Sequence, residues 1–223
     1  MLPTEARWLA ERMNALDAAQ FSPLLNVGSS TLQFRTQAQP YVQRDIFDPL
    51  EDRGVGVVHT DLGSGAGIHL SGDLMDVAFV DRLREHEPRS ALISNLLEHV
   101  VDPGRVARAV LGVLPAGAFL FVSGPRDFPH HPDPIDNGLR PSPAELAALF
   151  PGTRLLHGAT LAADPYWRWP VADRGGRTLA AIVARLCVPV YQPRNWLKAV
   201  RQVPLLVKRP TAVAVVLQKQ HRD

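Results

Sequence analysis

Residues 102–123 read DPGRVARAVLGVLPAGAFLFVS, and this stretch decides the fold class. Asp102 and Pro103 suit the start of a helix, because an aspartate can cap the free amides there and proline lacks an amide to satisfy. Apolar residues then recur at helical spacing up to the break at 115–117. The run from Ala118 to Ser123 is almost wholly apolar, as expected of a strand covered by helices on both faces. This order predicts part of a parallel α/β sheet.

The same alternation continues on both sides of this stretch. Short apolar runs bounded by glycine or an acid predict strands, and segments with apolar residues every three or four positions predict helices. Strands that alternate with helices predict βαβ units, right-handed crossovers and a doubly wound, mainly parallel sheet. The predicted strands are 23–28, 55–61, 67–70, 91–96, 118–123, 153–160 and 211–217, and the predicted helices are 4–19, 77–84, 102–114, 142–150, 178–188 and 195–207.

Three local details accompany this pattern. Thr4 is placed to cap the first helix, and Ser142 with Glu145 has the spacing of a capping box. The separation of Gly28 from Asp61 is longer than the roughly 20 residues usual in nucleotide-binding βαβ units. That extra length predicts an irregular stretch over 37–50 instead of a clean helix.

The composition bounds the class of protein. A net charge of +2 and an isoelectric point near 9.0 are too mild for a nucleic-acid partner. Cys187 is the only cysteine, which excludes an intrachain disulfide and a cysteine-based metal cluster. No apolar run has the length of a signal-peptide core or a membrane span, so we expect a cytoplasmic protein without a transmembrane segment. Basic residues gather over 185–222, where solvated helix faces or peripheral contact with an anionic membrane would explain them.

Candidate ligand-binding residues follow the predicted strands. In an open parallel sheet, ligands bind beyond the carboxyl ends of the strands. Gly28 ends the first strand, where a missing Cβ admits a ligand to the backbone. Asp61 ends the second strand and can accept two hydrogen bonds from a ribose diol, and Asp73 follows the third strand, where it can accept one from an exocyclic amine. Each residue alone is equally explained as a turn or a cap, but their order together predicts a site for an adenosine-type cofactor.

Several short motifs bear a family resemblance. The sequences NVG at 26–28, TD at 60–61, GDL at 72–74, SNLLEHVVDP at 94–103 and LPAGAFL at 114–120 resemble those of the class I S-adenosylmethionine-dependent methyltransferases. LEHV followed by DP is the most specific of them. The proline-rich segment 125–142 is similar to a loop of family members encoded beside glycan-synthesis genes. The resemblance covers roughly Leu24 to Leu156.

The resemblance implies both a fold and a cofactor. The fold is a Rossmann-like seven-stranded sheet of order 3-2-1-4-5-7-6 with an antiparallel last strand, here 211–217, and extra helices near the C-terminus. We expect a single domain over 1–223, with the N-terminal helix in 1–20, the cofactor-binding core in 24–160, and a helical insertion plus the final strand in 161–223. The cofactor is S-adenosylmethionine, and its expected contacts are Asn26, Gly28, Ser29, Ser30, Asp61, Gly72, Asp73, Leu74, Asn95 and His99.

The loop after the first strand departs from the family pattern. The family has an acid followed by three alternating glycines, whereas residues 26–31 read NVGSST. Hydroxyl groups of Ser29, Ser30 or Thr31 would therefore have to bind the methionine carboxylate. Because only one glycine remains in this loop, the sequence also supports a second hypothesis, a degenerate fold that acts as a non-catalytic scaffold or partner subunit. A nicotinamide dehydrogenase is disfavoured, because no Gly-x-Gly-x-x-Gly opens a helix here.

The loop after the fifth predicted strand contains candidate catalytic residues. Methyl transfer to oxygen usually needs a base, and His131 is the first choice because its loop would cover the site. The alternative is that His130, His131, Asp133 and Asp136 are surface and turn residues. Their spacing predicts no metal site, and Glu98 and His99 are assigned a structural role or a place at the cofactor rim. The predicted acceptor is a small molecule or a glycan, and the sequence does not determine the oligomeric state.

Overall fold

The structure is a computed structural model, and it describes residues 1–128, 135–163 and 209–221. The chain divides into two compact units, Met1–Leu161 with Ala212–Asp223, and Ala162–Thr211. The predicted single domain over 1–223 stays a prediction. The predicted helices 178–188 and 195–207 and the loop residues 129–134 lie outside the described residues.

Seven strands form one sheet of order β3-β2-β1-β4-β5-β7-β6. β1 lies between β2 and β4 and is parallel to both, so the strand order reverses there. The amide of Lys219 bonds the carbonyl of Ala118, which joins the end of the last strand to the start of β5 and makes that last strand antiparallel. The predicted fold class and strand order are confirmed. The strands are β1 Leu24–Val27, β2 Val57–Asp61, β3 Leu70–Ser71, β4 Ser90–Ser94, β5 Phe119–Asp127, β6 Thr153–Ala162 and β7 Thr211–Lys219.

The helices between the strands have the caps that the sequence indicates. The carboxylate of Asp102 accepts a hydrogen bond from the amide of Arg105 at 2.9 Å. Ser142 and Glu145 form the predicted capping box. The α-helices are α1 Pro3–Asn14, α2 Ala18–Phe21, α3 Pro40–Val42, α4 Asp48–Asp52, α5 Val77–Arg84, α6 Pro103–Val113 and α7 Pro143–Ala148, with π-helical turns at Phe34–Ala38 and Gln43–Phe47 and a 3-10 turn at Leu97–His99.

Two predictions about the first helix, its cap and its end, are wrong. The first helix begins at Pro3, so Thr4 lies inside it and is not its cap; instead, Glu5 Oε2 accepts the amide of Leu2 at 2.9 Å. This helix ends at Asn14, and Asp17 caps the separate short helix α2. As predicted, no clean helix spans 37–50; short α-helical and π-helical turns follow one another there, interrupted at Gln39. The side chains of Val42, Ile46, Phe47 and Leu50 are buried, and that burial holds these turns in place.

The two faces of the sheet carry separate hydrophobic clusters. Successive side chains of a strand point to opposite faces, so one strand serves both clusters. Leu25 and Val27 of β1 pack with α5, α6 and α7, whereas Leu24 packs with α1 and the helical stretch 40–50. The same alternation puts Asn26 and Ser94 on the α1 face, near the carboxyl ends of β1 and β4, with Ser123 of β5 beside Ser94. Asn26 and Ser94 line the site described next.

Candidate functional site

Two cavities open at the carboxyl edge of the sheet, beside the point where the strand order reverses. The first cavity has a volume of about 690 Å³ and the second about 360 Å³. Gly28 and His99 line both of them, so the cavities meet at these two residues. The first cavity is lined by Val27, Gly28, Thr60, Asp61, Leu62, Gly72, Asp73, Leu74, Met75, Phe79, Leu96, His99, Val100, Val101, Asp102, Arg105, Val106 and Ile135. The second is lined by Met1, Asn26, Gly28, Ser29, Ser30, Phe34, Arg35, Gln39, Val42, Phe47, Leu92, Ser94, Asn95, Glu98 and His99.

Two of the carboxylates that line the first cavity lie at or just after the ends of strands β2 and β3. Asp61 ends β2, and its two oxygens accept the amides of Ser30 at 2.8 Å and Gly63 at 3.2 Å. Asp73 follows β3, and one of its oxygens accepts the amide of Met75 at 2.8 Å. These bonds fix the direction of each carboxylate and leave lone pairs, since a carboxylate has about four acceptor positions. Both groups can therefore accept further hydrogen bonds from a ligand.

The remaining walls of the first cavity are largely apolar. Leu74, Leu96 and Val100 are half-buried and pack against the core on the α5 and α6 side of the sheet. Gly72 makes room for Phe79, because a Cβ at position 72 would lie 2.3 Å from a ring carbon of Phe79. A largely apolar cavity with two carboxylates in its lining is suited to a ring that carries polar substituents.

The loop after β1 is closed by its own hydrogen bonds. The amides of Gly28 and Ser29 both donate to the carbonyl of Thr60, at 2.9 and 3.0 Å. Gly28 has φ +70°, and a Cβ there would meet the Leu96 side chain at 3.0 Å, so the position needs glycine. The amide of Ser30 is taken by Asp61. The backbone amides at positions 28–30 are thus committed within the protein.

Arg35 holds this loop in place and is only 2% exposed. Its Nη1 donates to the carbonyls of Ser29 and Ser30 at 3.1 and 2.7 Å, and its Nη2 donates to that of Gly67 at 2.9 Å. Burial lowers the pKa of Arg35, and the charge of Glu51 opposes that shift. Among the residues that the structure describes, Arg35 Nε has no hydrogen-bond partner. No sequence motif pointed to Arg35.

Asn26 and His59 form a buried pair below the second cavity. The Nδ2 of Asn26 lies 2.9 Å from the Nδ1 of His59, and the two residues are 5% and 4% exposed. Burial lowers the pKa of His59 to about 3, with smaller contributions from Arg35 and His69. The imidazole is therefore neutral, and its Nδ1 accepts from the Asn26 amide. Asn26 was predicted to contact the cofactor; it lines the second cavity, but its side-chain amide is directed to His59.

The lining of the second cavity contains more polar side chains than that of the first. Ser94 and Asn95 end β4, and Asn95 Nδ2 donates to Glu5 Oε1 of α1 at 2.6 Å. Glu98 is 1% exposed, and its Oε2 has no hydrogen-bond partner within residues 1–128, 135–163 and 209–221. Burial is the main cause that raises the pKa of Glu98. Ser30 and Asn95 both have positive φ, at 52° and 49°, a conformation that side chains rarely adopt.

The predicted site residues fall into three groups. The first cavity brings together Gly28, Asp61, Gly72, Asp73, Leu74 and His99. The second brings together Asn26, Gly28, Ser29, Ser30, Asn95 and His99. The predicted base His131 lies outside the described residues, as do His130 and Asp133. Asp136 is described, and it pairs with Arg140 at 2.8 Å. Sequence reasoning missed Thr60 and Arg35 as site residues.

Within the residues that the structure describes, no three His, Cys, Asp or Glu side chains are grouped as metal ligands. No helix in the described part of the chain has the length and apolar character needed to cross a bilayer.

Comparison with solved structures identifies the fold. Coclaurine N-methyltransferase bound to N-methylheliamine and SAH is similar with a TM-score of 0.55 and 12% identity, over 96% of this chain and 69% of that one. An S-adenosylmethionine-dependent methyltransferase from Methanosarcina mazei has a TM-score of 0.52 and 13% identity, over 95% and 98% of the two chains. The [4+2]-cyclase SpnF has a TM-score of 0.50 and 19% identity, over 95% and 81%. No protein-family model and no curated protein matches the sequence. The chain has the class I S-adenosylmethionine-dependent methyltransferase fold, and identities this low say nothing further.

Proposed function

We propose that this chain is an S-adenosylmethionine-dependent methyltransferase that acts on a small-molecule or glycan-type acceptor. One observation carries the proposal. Gly28, Asp61 and Asp73, which come from the ends of three different strands, line a single cavity of about 690 Å³ in a methyltransferase fold. Ligands of open parallel sheets bind at this edge, beside the reversal of strand order.

The side chains present fit an adenosyl group. Asp61 would accept the ribose hydroxyls, and Asp73 would accept the exocyclic amine of adenine. The half-buried Leu74, Leu96 and Val100 would cover the faces of the ring, a common arrangement for a flat apolar ligand. Thr60 lines the same cavity, and its buried Oγ1 has no hydrogen-bond partner among the described residues, so a ligand that reached it would break no existing contact.

The methionine end of the cofactor would lie toward Gly28, where the cavities meet. The backbone amides at positions 28–30 are already bonded, so the loop would have to offer side-chain hydroxyls instead. Ser29 Oγ donates to the carbonyl of Ser30 at 3.0 Å and would have to rotate to serve, whereas the guanidinium of Arg35 adds positive charge beneath the loop. These side chains would take the place of the glycine-rich backbone that contacts the methionine end of the cofactor in the family pattern.

When bound, the cofactor supplies a methyl group on a strongly electrophilic sulfonium. The protein then needs chiefly to align an acceptor atom with that methyl, and alignment alone can supply much of the rate acceleration. The second cavity, of about 360 Å³, is the place for the acceptor, since it adjoins the first at Gly28 and His99. Its volume suits a small molecule or one sugar unit of a glycan. His131 stays a predicted base.

Calorimetric titration with S-adenosylhomocysteine tests this function. We expect micromolar binding by the unaltered protein and at least a tenfold loss in Asp61→Ala, because both the ribose contact and the Ser30 support would go. Asp52→Ala is the matched control, since Asp52 is exposed at the end of α4. Equal affinity in all three proteins would remove Asp61 from the site, and transfer of a labelled methyl group to any extract component would establish the reaction.

A second candidate is a non-catalytic scaffold or partner subunit with the same fold. The closed loop after β1 favours it, because Thr60 and Asp61 already occupy the amides of Gly28, Ser29 and Ser30. This candidate predicts that the calorimetric titration shows no heat of binding with millimolar S-adenosylhomocysteine. The same titration therefore decides between the two.

Location and partners remain predictions. A cytoplasmic protein without nucleic-acid partners is what the mild charge and composition indicate. The basic segment that could touch an anionic membrane lies mostly outside the described residues. Flotation with vesicles of phosphatidylserine and phosphatidylcholine would test that contact.

A further inference from the structure

The second cavity contains a buried acid with an unused oxygen. Glu98 follows β4 and is 1% exposed, and its Oε2 has no hydrogen-bond partner in the described part of the chain. A carboxyl group that is buried without full compensation costs free energy, so such groups usually serve a ligand or a reaction. Burial raises the pKa of Glu98, which makes it a better proton acceptor whenever it is ionised.

The neighbouring acid is already fully engaged. Glu5 of α1 accepts the amide of Leu2 with one oxygen and the side chain of Asn95 with the other. It fixes the turn that follows β4 through Asn95. Of these two buried acids, only Glu98 keeps an oxygen without a partner among the described residues.

The charged groups around Glu98 are His99 of its own turn, Glu5 of α1 and the N-terminal amine. His99 Nε2 lies 3.8 Å from Glu98 Oε1, and His99 Nδ1 must donate to the carbonyl of Ile135 at 2.8 Å, because a carbonyl only accepts. Glu5 disfavours ionisation of Glu98, whereas His99 and the N-terminal amine favour it. The imidazole is thus held with Nε2 toward the carboxyl group.

Glu98 also lies close to the position where reaction would occur. It lines the second cavity together with Gly28 and His99, the two residues at which the cavities meet. This step rests on the proposed function, in which the adenosyl group fills the first cavity and the acceptor fills the second. An acceptor atom at the junction would lie on the Glu98 side of the transferred methyl.

We propose that Glu98 is the catalytic base that takes the proton from an N–H or O–H acceptor during methyl transfer. The acceptor atom forms a bond to the methyl carbon and loses its proton to the Glu98 carboxylate, which becomes a carboxylic acid. The carbon–sulfur bond breaks, and its electron pair stays on sulfur as a neutral thioether. His99 is a positioning residue that orients the carboxyl group.

Sinefungin is a suitable probe, because it carries an ammonium-bearing carbon in place of the sulfonium. Its charge would stand beside Glu98, whereas S-adenosylhomocysteine has no charge there. In calorimetry at pH 7.5 we expect Glu98→Gln to bind S-adenosylhomocysteine within twofold of the unaltered protein and sinefungin at least tenfold more weakly. Glu11→Gln makes the same change at an exposed position of α1 and should alter neither affinity.

A measurement on the unaltered protein covers the case in which Glu98→Gln does not fold. Burial raises the pKa of Glu98, so the preference for sinefungin over S-adenosylhomocysteine should rise with pH as the carboxyl group ionises. A preference that is flat with pH, or unchanged in Glu98→Gln, would overturn the base role while leaving the methyltransferase proposal intact. Absence of S-adenosylhomocysteine binding would instead remove the proposed function, and the base role with it.

Discussion

The Nδ2 of Asn26 lies 2.9 Å from the Nδ1 of His59, beneath the loop that follows β1. Both side chains are buried, and the pKa of His59 is lowered to about 3, chiefly by that burial. The amide can donate only to an unprotonated ring nitrogen, so the pair requires a neutral imidazole with its proton on Nε2. The family pattern has an acid at position 26, and an acid would demand the opposite protonation state.

Asn26→Asp should therefore raise the pKa of His59. A carboxylate at this position accepts and cannot donate, so the imidazole would carry a proton on Nδ1 and its pKa would rise by about 1–3 units. Nitrogen-15 NMR of the histidine rings over pH 3–8 measures this directly, with the exposed ring of His86 as an internal reference signal. A His59 pKa equal to that of the unaltered protein would contradict the prediction.

His59 should also make folding sensitive to acid. Its pKa in the folded state, about 3, lies below the ordinary value of 6.5, so the unfolded chain binds the proton more readily between those pH values. The stabilisation is present above pH 6.5 and is lost as the pH falls toward 3. Between pH 6.5 and 4.5 the loss would be about 3 kcal/mol at most, at 1.36 kcal/mol per pH unit.

Urea unfolding of the unaltered protein and of His59→Gln at these two pH values would isolate this effect. Glutamine fills similar space, can accept the Asn26 amide and does not titrate. The free energy of unfolding of His59→Gln should fall less between pH 6.5 and 4.5. Parallel losses in both proteins would assign the acid sensitivity to other groups.

Gly72→Ala should destabilise the protein and distort the first cavity. The added Cβ would lie 2.3 Å from the ring of Phe79, a fully buried residue of α5, so the ring must move. Overpacking of this kind costs about 1–3 kcal/mol. Gly112→Ala in α6 is the matched control, because its Cβ would stand 3.6 Å from its nearest neighbour and should stabilise the helix by about 0.5–1 kcal/mol. Thermal unfolding of both variants checks the opposite signs.

Arg35→Lys should loosen the loop after β1. A lysine keeps the charge but cannot make the three carbonyl bonds of the guanidinium in this geometry. We expect faster hydrogen exchange of the Ser29 and Ser30 amides and at least a tenfold weaker binding of S-adenosylhomocysteine. Arg44→Lys is the control, since the side chain of Arg44 is 68% exposed and pairs with its neighbour Asp45. Unchanged exchange in Arg35→Lys would show that the loop holds its path without this support.

The architecture could be predicted from the sequence because its signals are local. The apolar run of β5, the Asp102 cap of α6 and the strand-helix alternation each depend on neighbours along the chain, and the structure has all three. The end of α1 was misplaced because Asp17 begins a new helix within an otherwise continuous apolar pattern. The absence of a clean helix over 37–50 was predicted from the long separation of Gly28 and Asp61, but the helical turns there were not, because π-helical turns shift the apolar spacing away from the regular period.

The site could be predicted only where a residue ends a strand. Gly28, Asp61 and Asp73 were found because the end of a parallel strand has a known place in the fold. The guanidinium of Arg35 bonds the carbonyls of Ser29, Ser30 and Gly67. Glu5 bonds Asn95, which lies 90 residues further along the chain. Such contacts depend on tertiary packing, and no spacing in the sequence records them. Glu98 stood in a recognised motif, but only its burial and its unpaired oxygen distinguish it from a structural acid.

The buried guanidinium has a consequence for detecting distant relatives. An arginine six residues after Ser29 holds the carbonyls of Ser29 and Ser30, in a loop where serine and threonine replace the later glycines of the family pattern. Search patterns weighted toward glycine will overlook chains of this type. A pattern that requires one glycine at the strand end, an arginine at that offset and an acid at the end of the next strand should recover them.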